Sequence, residues 1–292
     1  MADLLILRSR LRDVGNFQVR RLLPAAKKQA VGPFLFFDHF GPHELEPFTD
    51  NDVRPHPHIG LSTVTYLFEG RMVHRDSVGS VQAIEPGAIN WMTAGRGIAH
   101  SERSPKEPAG ERRRSHGLQL WAGLPRSFEE TAPAFAHTPG SAIPEDERIR
   151  LLIGRAWGME SPVVPLSETL YADIALPAGG ALDIPPLAAE RAVYSVDGSY
   201  SLQGKSMEPH TMAVLPAGET VRLEAETPAR VMLIGGEPLD GPRFIWWNYV
   251  SSSRERIVQA ASEWSEHHSP RIPGETEWIP LPGSPSFLPE RP

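Results

Sequence analysis

Cysteine is absent from this 292-residue chain. That removes disulfides, thiolate metal sites, iron–sulfur clusters and a cysteine nucleophile together, so any bound metal must rely on His, Asp or Glu. No stretch approaches the roughly 18 uninterrupted apolar residues of a transmembrane helix. The opening Met1-Ala2-Asp3, a short apolar run and Arg8 do not read as a signal peptide, so a cytoplasmic location without membrane contact is expected. An excess of basic charge is also missing. Lys and Arg number 29 against 36 Asp and Glu, giving a net charge of −7. A duplex-binding surface normally needs a basic balance or stripe, so direct nucleic-acid binding is not expected. The one dense basic run, Arg112-Arg113-Arg114 between Glu111 and Ser115, reads as a solvated loop.

Long apolar patterns of helical period are nearly absent before residue 250. In their place stand short runs rich in β-branched and aromatic residues, among them Leu61 to Phe68, Ala88 to Met92, Leu118 to Trp121, Leu170 to Leu176, Ala192 to Val196, Thr211 to Leu215 and Arg230 to Ile234. The 30 prolines and 25 glycines punctuate them along the whole chain. Many short strands with frequent turns predict an all-β fold, a barrel or sandwich. Residues Glu129 to Arg148, rich in Pro, Ala and charge, read as a connection between two halves that resemble each other. Tyr66-Leu67-Phe68-Glu69-Gly70 matches Tyr194-Ser195-Val196-Asp197-Gly198, an aromatic strand entering an acidic-Gly hairpin turn, and Met92-Thr93-Ala94-Gly95 matches Leu215-Pro216-Ala217-Gly218. Two matches in one order suggest an internal duplication. The expected division is 1–135, 136–250 and 251–292. In the last segment Ser252 and Glu255 form a candidate capping box ahead of a helix with Ile257, Val258, Ala260, Ala261 and Trp264 on its apolar face. From Ser269 onward seven prolines in 24 residues predict an extended tail along the surface.

Seven of the eleven histidines fall between His39 and His116. Two of them form His56-Pro57-His58, and another opens His100-Ser101-Glu102 just after Gly95-Arg96-Gly97. On a strand, residues i and i+2 share a face, so each pair can offer two ligands to one point. Two such pairs on neighbouring strands converge on a single ion. Three imidazoles and one carboxylate suit divalent Fe, Mn, Co, Ni, Cu or Zn and leave coordination positions open. A lone H-x-H is more often structural, and a proline between histidines can simply mark an edge. The second half serves as a control. By the matched turn, His56 and His58 correspond to Ile184 and Pro186, and by the matched Ala-Gly step, His100 and Glu102 correspond to Leu223 and Ala225. All four polar residues vanish as a set, which incidental surface residues need not do. Around them, His39 reads as a loop residue or a partner of a ligand, and Asp38 as a partner for an imidazole N–H or a turn residue. His74 and His116 read as barrel-lining or solvent-facing, and Trp246-Trp247 as a seal between the second barrel and the terminal helix. The loop Arg103 to Ser115 reads as mobile, with a lid as the sharper alternative.

The runs Phe34-Leu35-Phe36-Phe37-Asp38-His39-Phe40-Gly41-Pro42, Pro55-His56-Pro57-His58-Ile59-Gly60, Asn90-Trp91-Met92-Thr93-Ala94-Gly95-Arg96-Gly97-Ile98-Ala99-His100-Ser101-Glu102 and His116-Gly117-Leu118-Gln119-Leu120-Trp121 closely resemble the pirin family of the cupin superfamily. The resemblance spans nearly the whole chain. It implies two tandem cupin barrels, jelly-roll-like and antiparallel. One divalent metal, usually iron, would sit in the first barrel on His56, His58, His100 and Glu102, and the second barrel would hold none. The carboxylate that cupins generally carry a few residues after H-x-H is missing from Gly60 to Thr65, and Glu102 takes its place. Two functions fit that family. One is a dioxygenase acting with O2 on a flavonol- or enol-type aromatic, as in quercetin 2,3-dioxygenase, with Glu102 as the catalytic base. The other is a non-enzymatic, metal-dependent regulatory module that binds a protein partner. A monomer is expected in either case.

Overall fold

The computed structural model describes residues 4–285 apart from Asn16 and 106–109. Among the described residues strands dominate and the single α-helix is Arg254–Ser265. The chain divides into two compact units. One gathers Met1–Arg12, Val19–His39 and Thr138–Pro238, the other Asp13–Gln18, Phe40–His137 and Leu239–Pro292. These units interleave along the sequence, unlike the contiguous blocks that composition suggests. Hydrogen bonding explains part of this, since strand Leu5–Arg8 zips antiparallel onto Thr211–Val214, far along the chain.

Each unit contains two antiparallel sheets, as a cupin barrel requires. In the unit holding residues 138–238, one sheet has six strands in the order Leu5–Arg8, Thr211–Val214, Glu190–Asp197, Ala229–Gly236, Thr169–Leu176, Ile149–Ile153. The facing sheet runs Ala181–Ile184, Val221–Ala225, Tyr200–Leu202, Lys205–Met207. Between them lies a continuous apolar core that includes Leu151, Leu170, Ile174, Leu182, Val193, Leu202, Leu223 and Leu233. Alternation supplies it: Val221, Leu223 and Ala225 are buried while Arg222 and Glu224 are exposed. The interior is packed with side chains and carries no imidazole at the positions matching the first barrel's.

In the unit holding residues 40–137, a four-stranded sheet runs Val53–His58, Ile98–Arg103, Met72–Asp76, Val81–Ile84. The other sheet has Ile89–Thr93, Leu61–Glu69 and Arg113–Gly123 as consecutive neighbours. Leu61–Glu69 is buried almost throughout, as befits a central strand covered on both faces. The acidic-Gly steps are not hairpins. Leu61–Glu69 belongs to one sheet and Met72–Asp76 to the other, and the same holds for Glu190–Asp197 and Tyr200–Leu202. The turn carries the chain over the barrel's edge. Gly70 (φ 90°) and Gly198 (φ 78°) occupy equivalent corners, and a Cβ at either would stand 2.2 Å from a carbonyl oxygen, of Arg114 and Pro228 respectively. Only glycine meets both demands, so the sequence repeat marks a conformational requirement shared by both barrels.

The terminal helix starts one residue later than the serine run suggests. Ser253 is the N-cap, accepting from the Arg256 N–H at 3.3 Å, and its hydroxyl donates to Glu255. Ser252 is engaged elsewhere: its hydroxyl and N–H both donate to the buried Glu129 carboxylate, which also pairs with Arg243 at 2.6 Å. The helix buries Ile257, Ala260 and Ala261 against Ile59 and Tyr249, with Trp246 and Trp247 packed alongside. The tryptophan pair therefore seals the helix onto the unit of the first barrel, because Ile59 bridges to Tyr249 in parallel. The proline-rich tail is anchored over its described residues, 269–285. Trp264 Nε1 donates to the Ile279 carbonyl at 2.9 Å, the Ile279 N–H donates to the Pro55 carbonyl at 2.8 Å, and Glu275 accepts from Ser101 and Arg103.

Candidate metal centre

His56 and His58 lie on the edge strand Val53–His58, where Pro55 and Pro57 cost little because an edge strand needs only half its ladder. The neighbouring strand Ile98–Arg103 places His100 directly opposite His56 and Ile98 opposite His58. The ladder then slips by one residue, so that Glu102 faces Val53 rather than Arg54. Such an irregularity re-aims side chains next to a site. On its other side the same strand sets Glu102 opposite His74 and His100 opposite Asp76.

The donor atoms of His56, His58 and His100 lie within 4.8 Å of one another, and all three residues are buried. Nδ1 of His56 is 2.8 Å from the Arg54 carbonyl, and Nδ1 of His58 is 3.0 Å from the Asn248 carbonyl. A carbonyl can only accept, so in both rings Nδ1 carries the proton and Nε2 keeps its lone pair. Nε2 of His58 meets Nε2 of His100 at 3.1 Å. Lone pairs aimed at one buried point are costly without a cation and are what a metal needs, so the residues present fit such an ion. Burial pushes the imidazole of His56 down to about 4 and those of His58 and His100 well below their ordinary value. All three are therefore neutral near pH 7.

Glu102 is buried beside this triad, although it does not belong to the 4.8 Å cluster. The sequence grouped four residues, and the structure brings three together. Its carboxylate accepts at most a weak bond from the Thr65 hydroxyl at 3.5 Å, since that hydroxyl's one proton has a nearer acceptor in Gln119 Oε1 at 2.8 Å. Burial, with so little compensation, raises the Glu102 carboxyl to about 7.

Of the residues outside the quartet, His74 and His116 lie on strands as expected, and His39 and Asp38 do not take the places expected of them. His74 is buried, stacked on Phe135 with ring centroids 4.2 Å apart, and bonded to Asp76 at 2.9 Å. Its spacing from Asp76 repeats the i, i+2 pattern of the ligand pairs, which is the sequence signal that could have singled it out. His39 lies within strand Phe34–Leu45 and bonds the Tyr194 hydroxyl at 2.6 Å. Asp38 forms a two-pronged pair with Arg21 at 2.8 and 2.7 Å and meets no imidazole. His116 is half-buried against Phe68. Strands extend to Arg103 and resume at Arg113, which shortens the supposed 103–115 loop, and residues 106–109, on which the idea of a lid rests, lie outside the described residues.

Strand pairing also refines the internal control. Leu182 faces Leu223 as His56 faces His100, and Ile184 faces Val221 as His58 faces Ile98. The true counterparts of His56 and His58 are thus Leu182 and Ile184. The sequence match is two residues out because the link to the next strand is three residues longer in the second barrel, Pro185–Ala189 against Ile59–Gly60, while that strand reaches its matched tyrosine one residue sooner. All the counterparts belong to the apolar core.

Two cupin barrels, one with a buried imidazole triad and one filled by apolar side chains, define a bicupin with a single candidate metal centre among the described residues. Residues 16–122 match the pirin family and residues 171–270 match the pirin C-terminal cupin domain. The chain belongs to the pirin family. It is 46% identical to a pirin-like protein of Caulobacter vibrioides over 95% of this chain and 99% of that one. With pirin of Homo sapiens it shares 35% identity over 83% of this chain and 84% of the other. The crystal structure of quercetin 2,3-dioxygenase from Acinetobacter baumannii superposes with a TM-score of 0.90 at 32% identity, covering 98% of this chain and 97% of that one.

Proposed function

We propose that this pirin-like bicupin is a metal-dependent dioxygenase acting on flavonol- or enol-type aromatics. His56, His58 and His100 would hold one divalent transition metal, with Glu102 as fourth ligand. Iron(II) is the first expectation and Mn, Co, Ni, Cu or Zn the alternatives. The observation that carries this reading is the buried triad of neutral Nε2 donors, in a chain that aligns end to end with a quercetin 2,3-dioxygenase. When bound, the metal supplies Lewis acidity toward the substrate's hydroxyl and an electron path to O2. The protein supplies the proton chemistry. Glu102, as ligand or swung off the metal, is the candidate base for the proton of an enolic or 3-hydroxyl group, and burial, which raises its carboxyl to about 7 in the metal-free site, favours that role. Trp121 stands edge-on to His58 at 5.2 Å and, being buried, helps keep the site dry.

The direct test is anaerobic metal analysis followed by O2-uptake assays with a panel of flavonols. About one metal per chain is expected, with O2 consumed by substrates that have a free 3-hydroxyl and not by their 3-methoxy analogues. Two metals per chain would contradict the apolar second barrel. A loaded protein inert toward every flavonol and enol would leave the regulatory role.

Metal affinity should carry a proton signature. Glu102 is protonated below about pH 7, so if it ligates, binding must displace a proton there, and apparent affinity should fall toward tenfold per pH unit as pH drops below 7. His56 stays neutral down to about pH 4, and His58 and His100 are lowered too. A site made of the triad alone should therefore bind with nearly constant affinity from pH 8 to about 5. Competition with a chelator of known proton affinity separates the two, and a flat profile would exclude Glu102 from the ligand set.

A further inference from the structure

The three imidazoles of the triad are not held alike. His56 and His58 give their Nδ1–H to backbone carbonyls, which have no alternative state. His100 instead places Nδ1 3.4 Å from Nδ1 of His74, and His74 places Nε2 2.9 Å from Asp76 Oδ2. Asp76 is fully buried, and its other oxygen accepts the N–H groups of Val78 and Ser80 at 3.0 and 2.9 Å. An acceptor anchored by a turn on one side must take a proton from His74 on the other. His74 Nε2 is therefore an N–H, and in a neutral ring its Nδ1 bears the lone pair, which the His100 Nδ1–H satisfies. That leaves His100 Nε2 with a lone pair pointing toward His58 Nε2.

The second barrel supplies an independent observation. There Ala225 faces Tyr200 and Leu223 faces Leu202, as Glu102 faces His74 and His100 faces Asp76. Tyr200 and Leu202 both belong to the apolar core. The His74–Asp76 pair thus disappears together with the ligands, although the strand that carries it is retained. A pair serving only the barrel's stability would have no reason to follow the ligands.

We infer that His74 and Asp76 are positioning residues that fix the tautomer and ring orientation of His100, so that its Nε2 is committed to the metal. This rests on the metal reading above. An imidazole hydrogen-bonded to a carboxylate-polarised acceptor is also a stronger donor, as in other outer-sphere partners of metal-bound histidine. Asp76 acts through His74, and His74 through His100; neither needs to touch a substrate.

The test uses the full chain and two substitutions at one position. His74→Leu removes the acceptor, and His74→Gln restores one through its amide oxygen. Cobalt(II) affinity should fall about 10–100-fold in His74→Leu, the range for losing an outer partner of a metal ligand, and recover to within about threefold in His74→Gln. The cobalt(II) visible spectrum should shift in the first variant and not in the second. In the metal-free wild type, long-range proton–nitrogen NMR should show His74 as the Nε2–H tautomer and His100 as the Nδ1–H tautomer, a result that needs no variant to fold. Reversed tautomers, or a folded His74→Leu that binds cobalt(II) as wild type does, would overturn the relay while leaving the metal reading intact. A wild-type protein with these tautomers that binds no metal would overturn the metal reading, and the relay's role with it.

Discussion

Replacing His58 by alanine should abolish metal binding while leaving the far-UV circular dichroism nearly unchanged. His58 contributes a fully buried Nε2 donor, 3.1 Å from that of His100. Two imidazoles cannot hold a divalent ion as three do, so the loss should exceed the roughly 10–100-fold attached to losing a mere outer partner. The fold should persist because its cores lie elsewhere, in the sheets of each barrel. The direct structural cost is the half-buried Asn248 carbonyl left without its donor, up to about 1–3 kcal/mol, together with the edge contact to Trp121 and the small cavity the ring leaves. Removing one of several crowded lone pairs offsets part of it, so the metal-free melting temperature should fall by only a few degrees. Metal analysis and a thermal scan on the same sample check both halves. A variant that fails to fold, or a wild type that unfolds on chelation in the manner of a small zinc finger, would mean that the ion is structural.

Glu102→Gln should lower turnover about 10²- to 10⁴-fold per bound metal, the usual range for losing a general base. Glutamine keeps the size and one oxygen donor but removes the charge and the basicity that burial tunes to about pH 7. Because an amide is also a poorer ligand, occupancy can fall, and rates must be normalised to metal measured in the same preparation. In the wild type the rate should rise with pH as the base loses its proton, at a pH below the metal-free value of about 7 because a bound cation favours the carboxylate, and in the variant that limb should be absent. A metal-normalised variant as fast as wild type would take Glu102 out of the mechanism. Equal, negligible O2 consumption by both proteins would favour the regulatory role.

Much of this was legible in linear order. The short β-branched and aromatic runs, the Gly/Pro punctuation and the absence of helical stripes before residue 250 announce an all-β chain, and the two acidic-Gly corners announce its duplication. His56, His58 and His100 were legible because a strand's period of two brings i and i+2 together whatever the strand pairs with. The register of the second half was not. A longer link between strands shifts the counterparts of His56 and His58 by two residues, and only ladder hydrogen bonds reveal the shift. Ser252 was misread as a cap because its preference for a buried carboxylate, Glu129, depends on a residue more than a hundred positions away.

The site divides along the same line. Residue type and local spacing announce that a divalent metal is wanted and which side chains can offer donors, since those are properties of a few adjacent residues. How the donors are held is decided by distant chain segments. The carbonyl of Asn248 orients His58, the Asp76–His74 pair orients His100, and burial moves the acidity of Glu102. Whether Glu102 closes on the ion likewise depends on a bulge opposite it and on a hydroxyl at Thr65 shared with Gln119. Desolvation and hydrogen-bond direction are properties of enclosed space, and no local stretch of sequence encloses any.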